Sequence, residues 1–322
     1  MQRIRQQQAV TLIRDGLFLF IAVMIVSGCA GLPTETAQEI TQQNTKAFAE
    51  LTNTAFHPQK AYQCGPAALA TVLNSSGITI SPETLVNRIY IPQRQGSLQI
   101  EIVATTRAHD RLPYIVEPRL DHVLAEIDAG RPVLVLQNLG LKWIPRWHYA
   151  VAIGYNKHKQ VIMLRSGITE RKRTPFKLFD RTWRRSGRWA MVVLKPGELP
   201  TIAHEDKYLR TILAFEHAQR WDIAVQAYAT AVKKWPTSLG AHMGSGNSHY
   251  SLQNHSQAIS YYRKALTIGP NHAPAHNNIA NALLEKGKRK EAAKHAQKAI
   301  KLGGPHLEAY NQTLNKIKQK KY

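Results

Sequence analysis

The sequence predicts two folded units in tandem, an α+β domain followed by an all-α superhelix, and three observations carry that prediction. A helix-forming stretch opened by Gly-Pro, QCGPAALATVL at residues 63–73, is followed by a series of short apolar runs rich in β-branched residues. Beyond His204 the pattern becomes helical and recurs every 34 residues. At 322 residues the chain has length for about two domains.

The N-terminus reads as a secretory leader over residues 1–28. Arg3, Arg5 and Arg14 precede the apolar run LFLFIAVMIV at 17–26, which is too short to span a bilayer comfortably. Val26-Ser27-Gly28-Cys29 resembles the lipobox of bacterial lipoproteins, and that resemblance implies cleavage before Cys29 and acylation of its sulfur. Ala30 after the cysteine implies transfer to the outer membrane, with the protein anchored in the cell envelope and facing the periplasm. Residues 29–53 are rich in Thr, Gln and Ala and read as a polar tether, partly helical.

The α+β unit is placed at residues 54–199. Its helix at 64–73 begins at Cys64, because Gly65 and Pro66 suit an opening turn in which a missing donor costs nothing. Four strands are expected, at 131–138, 147–155, 160–166 and 188–194. Ser97 reads as the N-cap of a helix with Glu101 in its first turn, and 120–130 as another helix.

Cys64 is the candidate nucleophile. Unpaired backbone N–H groups and the positive end of the helix dipole favour a thiolate there, and the thiolate is the species that attacks carbonyls. Once Cys29 carries lipid, Cys64 has no partner for a disulfide, so a free thiol persists in an oxidising compartment. His148, at the head of the strand WHYAVAIGY, is the candidate base, since imidazole exchanges a proton with a thiol near neutral pH and the resulting ion pair would keep sulfur ionised.

The sequence CGPAAL, then Gly130-Arg131-Pro132-Val133, then HYAVAIGY resembles the bacteriocin-leader-processing (double-glycine) peptidases of the papain clan and their lipoprotein relatives. The resemblance implies a papain-like fold, Cys64 as nucleophile, His148 as general base and later acid, and a glutamine shortly before the cysteine as an oxyanion donor. Gln59 takes that place, one residue closer to the cysteine than is usual, and Gln63 is its rival. The Gln59 amide and the Cys64 backbone N–H would supply two donors to a tetrahedral oxyanion. The third member, usually Asp or Asn, is open: Ser166 falls where the carboxylate is expected, and Asn156, Asp180 or a backbone carbonyl are alternatives.

Residues 204–322 repeat in three registers: Ala224, Ala258 and Ala292; Ala231, Ala265 and Ala299; and Pro236, Pro270 and Gly304. Gly246 and Ala280 hold a small-residue position that lets paired helices approach. This resembles the tetratricopeptide repeat, three units closed by a capping helix over about 306–318, and implies a concave face for a peptide or protein partner. Ser245 and His249 depart from the large residues usual at their positions, so the second repeat is expected to pack loosely.

The formal charge of +22 would suggest nucleic acid in a cytosolic protein, but an exported one meets none. Loss of the leader leaves +20 on the mature chain, a field suited to anionic headgroups or acidic proteins. From Arg165 to Arg188 nine basic residues accompany only Glu170 and Asp180, in what reads as a connecting loop near the expected cleft. No cofactor is implied, and His272 with His276 is too sparse a set for a metal. The expected function is therefore a cysteine peptidase of the cell envelope with a recruiting repeat module. A catalytically silent scaffold on the same fold is the alternative, and an amidase or transferase using the same thiol is a third class.

Overall fold

The computed structural model describes residues 45–59 and 62–319. The leader, Cys29 and the first part of the expected tether lie outside the described residues.

A seven-stranded antiparallel sheet organises the first unit. Its strands are β1 (Phe48–Glu50), β2 (Leu112–Ile115), β3 (Val133–Asn138), β4 (Trp147–Asn156), β5 (Val161–Ser166), β6 (Thr169–Pro175) and β7 (Ala190–Leu194), in the order β2-β7-β3-β4-β5-β6. β1 adds to the free half of the β4 edge beyond β3, pairing Ala49 with Tyr155. The sheet is covered on both faces, and strand alternation sorts its side chains accordingly. Leu134, Leu136, Tyr149, Val151 and Met191 face helices α1 (Cys64–Ser75), α2 (Pro82–Ile89) and α3 (Gln99–Ala108). Val133, Val135, Ala150, Ala152 and Val192 face α4 (Leu120–Asp128) and α5 (Phe176–Arg184).

Three expectations need correction. The stretch read as tether contains β1, which is held by β4 and by an ion pair from Glu50 to Arg171. Three residues with no apolar alternation give no strand signal on their own. The basic run between Arg165 and Arg188 is not a loop: it forms β6, an exposed charged edge strand, and α5, whose Phe176, Phe179 and Trp183 are buried. Polar edge strands protect a sheet from further pairing and therefore look like loops in sequence. Ser97 is not a cap: α3 starts after Leu98 and has no side-chain cap.

Among the described residues the second unit contains seven helices: α6 (Glu205–His217), α7 (Trp221–Lys234), α8 (Leu239–Ser251), α9 (His255–Ile268), α10 (Ala273–Glu285), α11 (Arg289–Leu302) and α12 (Leu307–Gln319). Consecutive helices pack as antiparallel pairs, and α12 lies against α11 and α10 at the open end. The alanines that mark the repeat, Ala224, Ala258 and Ala292, are fully buried. The first repeat shares one apolar core with the sheet: Tyr208, Ile212 and Phe215 of α6 join Leu112, Tyr114 and Val192. The Tyr208 hydroxyl donates to the Glu198 carbonyl at 2.8 Å, across the junction.

In the second repeat Ser245 and Ser248 are buried, and the His249 ring stacks on Tyr261 at 5.3 Å. The small-residue position is demanding: a Cβ on Gly246 would sit 2.3 Å from the Tyr262 ring. Gly246→Ala is expected to destabilise the protein by about 1–3 kcal/mol by overpacking, despite the better helix propensity of alanine. Urea denaturation checks it, and an unchanged or raised midpoint would refute the packing account.

Candidate active site

Cys64 opens α1 where the helix meets the sheet. Tyr62 just before it has φ of +62°, an uncommon conformation for a residue with a side chain, and this turns the chain sharply into the helix. Gly65 is required by its surroundings: a Cβ there would lie 2.4 Å from the Ser97 hydroxyl. The segment before α3 therefore presses directly on the first turn of α1. Farther back, the buried Arg165 guanidinium donates to the carbonyls of Thr52 and Thr54 and to that of Glu170, fixing the chain that leads to Gln59.

A cavity of about 920 Å³ lies in front of this turn. Cys64, His148, Gln59 and Ser97 all line it, with Arg94 and Arg146 among its walls and no carboxylate among the described residues. Gln63 is not among the lining residues; its carbonyl accepts from Ala67 N in the first helical turn. Of the two rival glutamines the fold thus brings Gln59 to the cavity. Its backbone N–H donates to the Gly167 carbonyl at 3.1 Å and its side-chain amide to the Tyr149 carbonyl at 3.4 Å, leaving one amide hydrogen uncommitted.

His148 stands on β4 next to the register positions of β5, so its ring meets Ser166 across the strand pair. His148 Nε2 and Ser166 Oγ are 2.8 Å apart. Ser166 is buried. Asn156 is at the opposite end of β4, where its side chain accepts from Lys159 N, and Asp180 is buried on α5 between Arg184 and Arg188. Neither reaches the imidazole. The His148 ring is hydrogen-bonded to Ser166 and not to the thiol; such bonds in unliganded sites often tighten only when substrate arrives.

Burial pushes the Cys64 thiol above its ordinary range, although backbone N–H groups of Tyr149, Gly65 and Cys64 itself oppose this. Burial, assisted by the charge of Lys172, lowers His148 to about 4. Near neutral pH the pair therefore rests as thiol and neutral imidazole. Burial opposes the ion pair expected from residue types alone, and the group behind the histidine is a serine, which carries no charge to offset that burial.

The His148 shift links to stability. Between about pH 6.5 and 4 the unfolded chain protonates this histidine while the folded chain does not, so folding stability falls as pH drops through that window. The complete difference is ~3 kcal/mol. Urea midpoints at pH 7 and 4.5 are expected to fall more in the wild type than in His148→Gln; equal losses would mean that the imidazole is not held neutral.

Ser97 was not legible as a site residue. The residue lines the cavity, while its hydroxyl is buried beside Gly65 with no hydrogen-bond partner among the described residues. It is closed off where the segment before α3 presses on the first turn of α1. A hydroxyl before a helical pattern reads as a cap, so only the fold distinguishes the two roles.

Residues 39–191 match the model of the Peptidase C39-like family. The match covers the α+β domain up to the start of β7. The match begins upstream of β1, in agreement with the strand's place in the sheet rather than in a tether. Behind the C39-like domain, residues 209–273 and 249–317 match two tetratricopeptide repeat models. A search of curated proteins returned no match. Among solved structures, the TPR2B domain of yeast Sti1 in its pHsp70 complex is 19% identical, with 36% of this chain and 98% of that one covered and a TM-score of 0.35. The Yersinia enterocolitica type III secretion chaperone SycD, with a peptide of the translocator YopD, is 16% identical, with 35% and 91% covered and a TM-score of 0.34.

Proposed function

We propose that the protein is a cysteine peptidase acting on peptide or protein substrates in the cell envelope, with Cys64 as nucleophile and His148 as proton carrier. The observation that carries this reading is the convergence on one cavity of Cys64 at the α1 N-terminus, His148, which Ser166 backs from outside the cavity, and Gln59. In the tautomer whose Nε2–H donates to Ser166, Nδ1 of His148 is the basic nitrogen left for the thiol. As sulfur attacks the carbonyl, its proton passes to that nitrogen, which then delivers it to the leaving amine. Water, deprotonated by the same imidazole, releases the acyl group from Cys64. The Gln59 amide and the Cys64 backbone N–H stabilise the oxyanion.

Ser166 in place of a carboxylate keeps the tautomer but does not neutralise the imidazolium, so turnover is slower than with an acid in that position. Arg94 and Arg146, with no carboxylate among the described residues of the cavity walls, favour substrates carrying acidic groups near the scissile bond. The repeat module, fused to the sheet through α6, is assigned recruitment of the substrate or of a partner protein on its concave face. Anchorage through Cys29 in the outer membrane, facing the periplasm, is part of the same proposal.

Profiling new peptide N-termini in envelope extracts incubated with the wild type or with Cys64→Ser tests the assignment. Termini that appear only with the wild type support it. Identical profiles would instead favour a silent scaffold that binds peptides.

A further inference from the structure

We propose that the hairpin joining β3 to β4 is a membrane-contact element that seats the mouth of the cavity on an anionic phospholipid bilayer. The hairpin, residues 139–146, carries Leu139, Leu141, Trp143 and Ile144 on its surface, and Trp147 continues the set into β4. Trp143 is 76% exposed and Ile144 64%, and every residue from 141 to 147 is exposed. Ile168, 82% exposed, adds to them from the β5–β6 turn at the same end of the sheet. Exposed large apolar side chains gathered in one place are a liability unless something covers them.

The hairpin is built to hold them outward. Asn138, itself buried, accepts from the backbone N–H groups of Gly140 and Arg146 and donates to the Leu141 carbonyl. The Arg185 guanidinium donates to the Gly140 carbonyl from below. Leu139 N donates to the Arg146 carbonyl at 2.9 Å and Leu141 N to the Ile144 carbonyl at 3.1 Å. A Cβ on Gly140 would lie 2.3 Å from the Ile144 carbonyl, so the tight closure depends on glycine. These contacts leave the backbone ordered while the apolar side chains stay in solvent.

Charge selects the occupant. Lys142 and Arg146 lie among the apolar residues, no Asp or Glu occurs between 139 and 147, and the chain as a whole is strongly basic. Apolar tips for the acyl boundary, tryptophans for the headgroup level and cations for lipid phosphates form the layered pattern of an interfacial contact. Pro145, Arg146 and Trp147 also line the cavity, so a hairpin seated on lipid places the cavity mouth at the bilayer surface. The inference does not depend on catalysis.

The test uses the full-length protein reconstituted through its own N-terminus into vesicles of phosphatidylglycerol and phosphatidylethanolamine with brominated acyl chains, which quench tryptophan at short range. Tethering is then the same in every sample, and the readout is the depth of the hairpin. Quenching is expected in the wild type, and Trp143→Phe is expected to remove the larger part of it. Ile144→Asp should reduce it, and replacing phosphatidylglycerol by phosphatidylcholine should lower it about twofold or more. Both positions are exposed, and an unchanged thermal midpoint verifies that the variants fold. A quenched fraction unchanged in Trp143→Phe, or equal in neutral vesicles, would overturn the proposal.

Discussion

Cys64→Ala is expected to lose peptide hydrolysis by at least about 10³-fold while keeping its fold. Without the sulfur no acyl-enzyme forms, and the remaining oxyanion donors and binding surface give only residual rate. The fold should survive because the thiol is a small group at a helix end and alanine is a strong helix former. Hydrolysis of a substrate identified by terminal profiling, measured beside the thermal midpoint, checks both parts. Substantial activity in a folded Cys64→Ala protein would place the nucleophile elsewhere.

His148→Ala is expected to be nearly as severe, about 10²–10⁴-fold, because the resting thiol is protonated and depends on a base to lose its proton. The pH dependence distinguishes this site from one with a preformed ion pair. With His148 lowered to about 4 and the thiol raised, the thiolate fraction at rest grows about tenfold per pH unit across pH 6–8. Alkylation of Cys64 by iodoacetamide should follow that slope. A plateau over the same range would indicate a thiolate–imidazolium pair. Ser166→Asp should raise the His148 value from about 4 toward neutrality, seen as a shifted imidazole titration in NMR.

The parts of the molecule that were legible in sequence are those in which local chemistry and long-range role coincide. Cys64 is followed by Gly-Pro because a helix starts there, and the same start makes the site. Buried alanines such as Ala224 and Ala258 recur at 34 residues because every repeat meets its neighbour in the same way. β1 and β6 were hidden because their pairing comes from β4 and β5, not from their own three or seven residues. α5 was hidden by its charge: Lys177, Arg181 and Arg184 dominate the sequence, while Phe176, Phe179 and Trp183 do the packing.

The site divides along the same line. Ser166 entered as a candidate partner of His148 only through the family resemblance, and Asn156 stayed open beside it until the fold placed Asn156 and His148 at opposite ends of β4. Gln59 and Gln63 are chemically alike, and the turn at Tyr62 separates them by bringing only the first to the cavity. Ser97 carried no sequence signal beyond a cap. The neutral resting state of Cys64 and His148 was also not legible, because residue types give reference values and burial sets the departure.

Acid-quenched mass spectrometry of the wild type during turnover of a cleaved peptide tests the central claim most directly. The account predicts a transient mass on the protein equal to the N-terminal product held as a thioester, mapping to Cys64 and absent from Cys64→Ser. Cleavage that proceeds without that adduct at early times, or an adduct on any other residue, would contradict it.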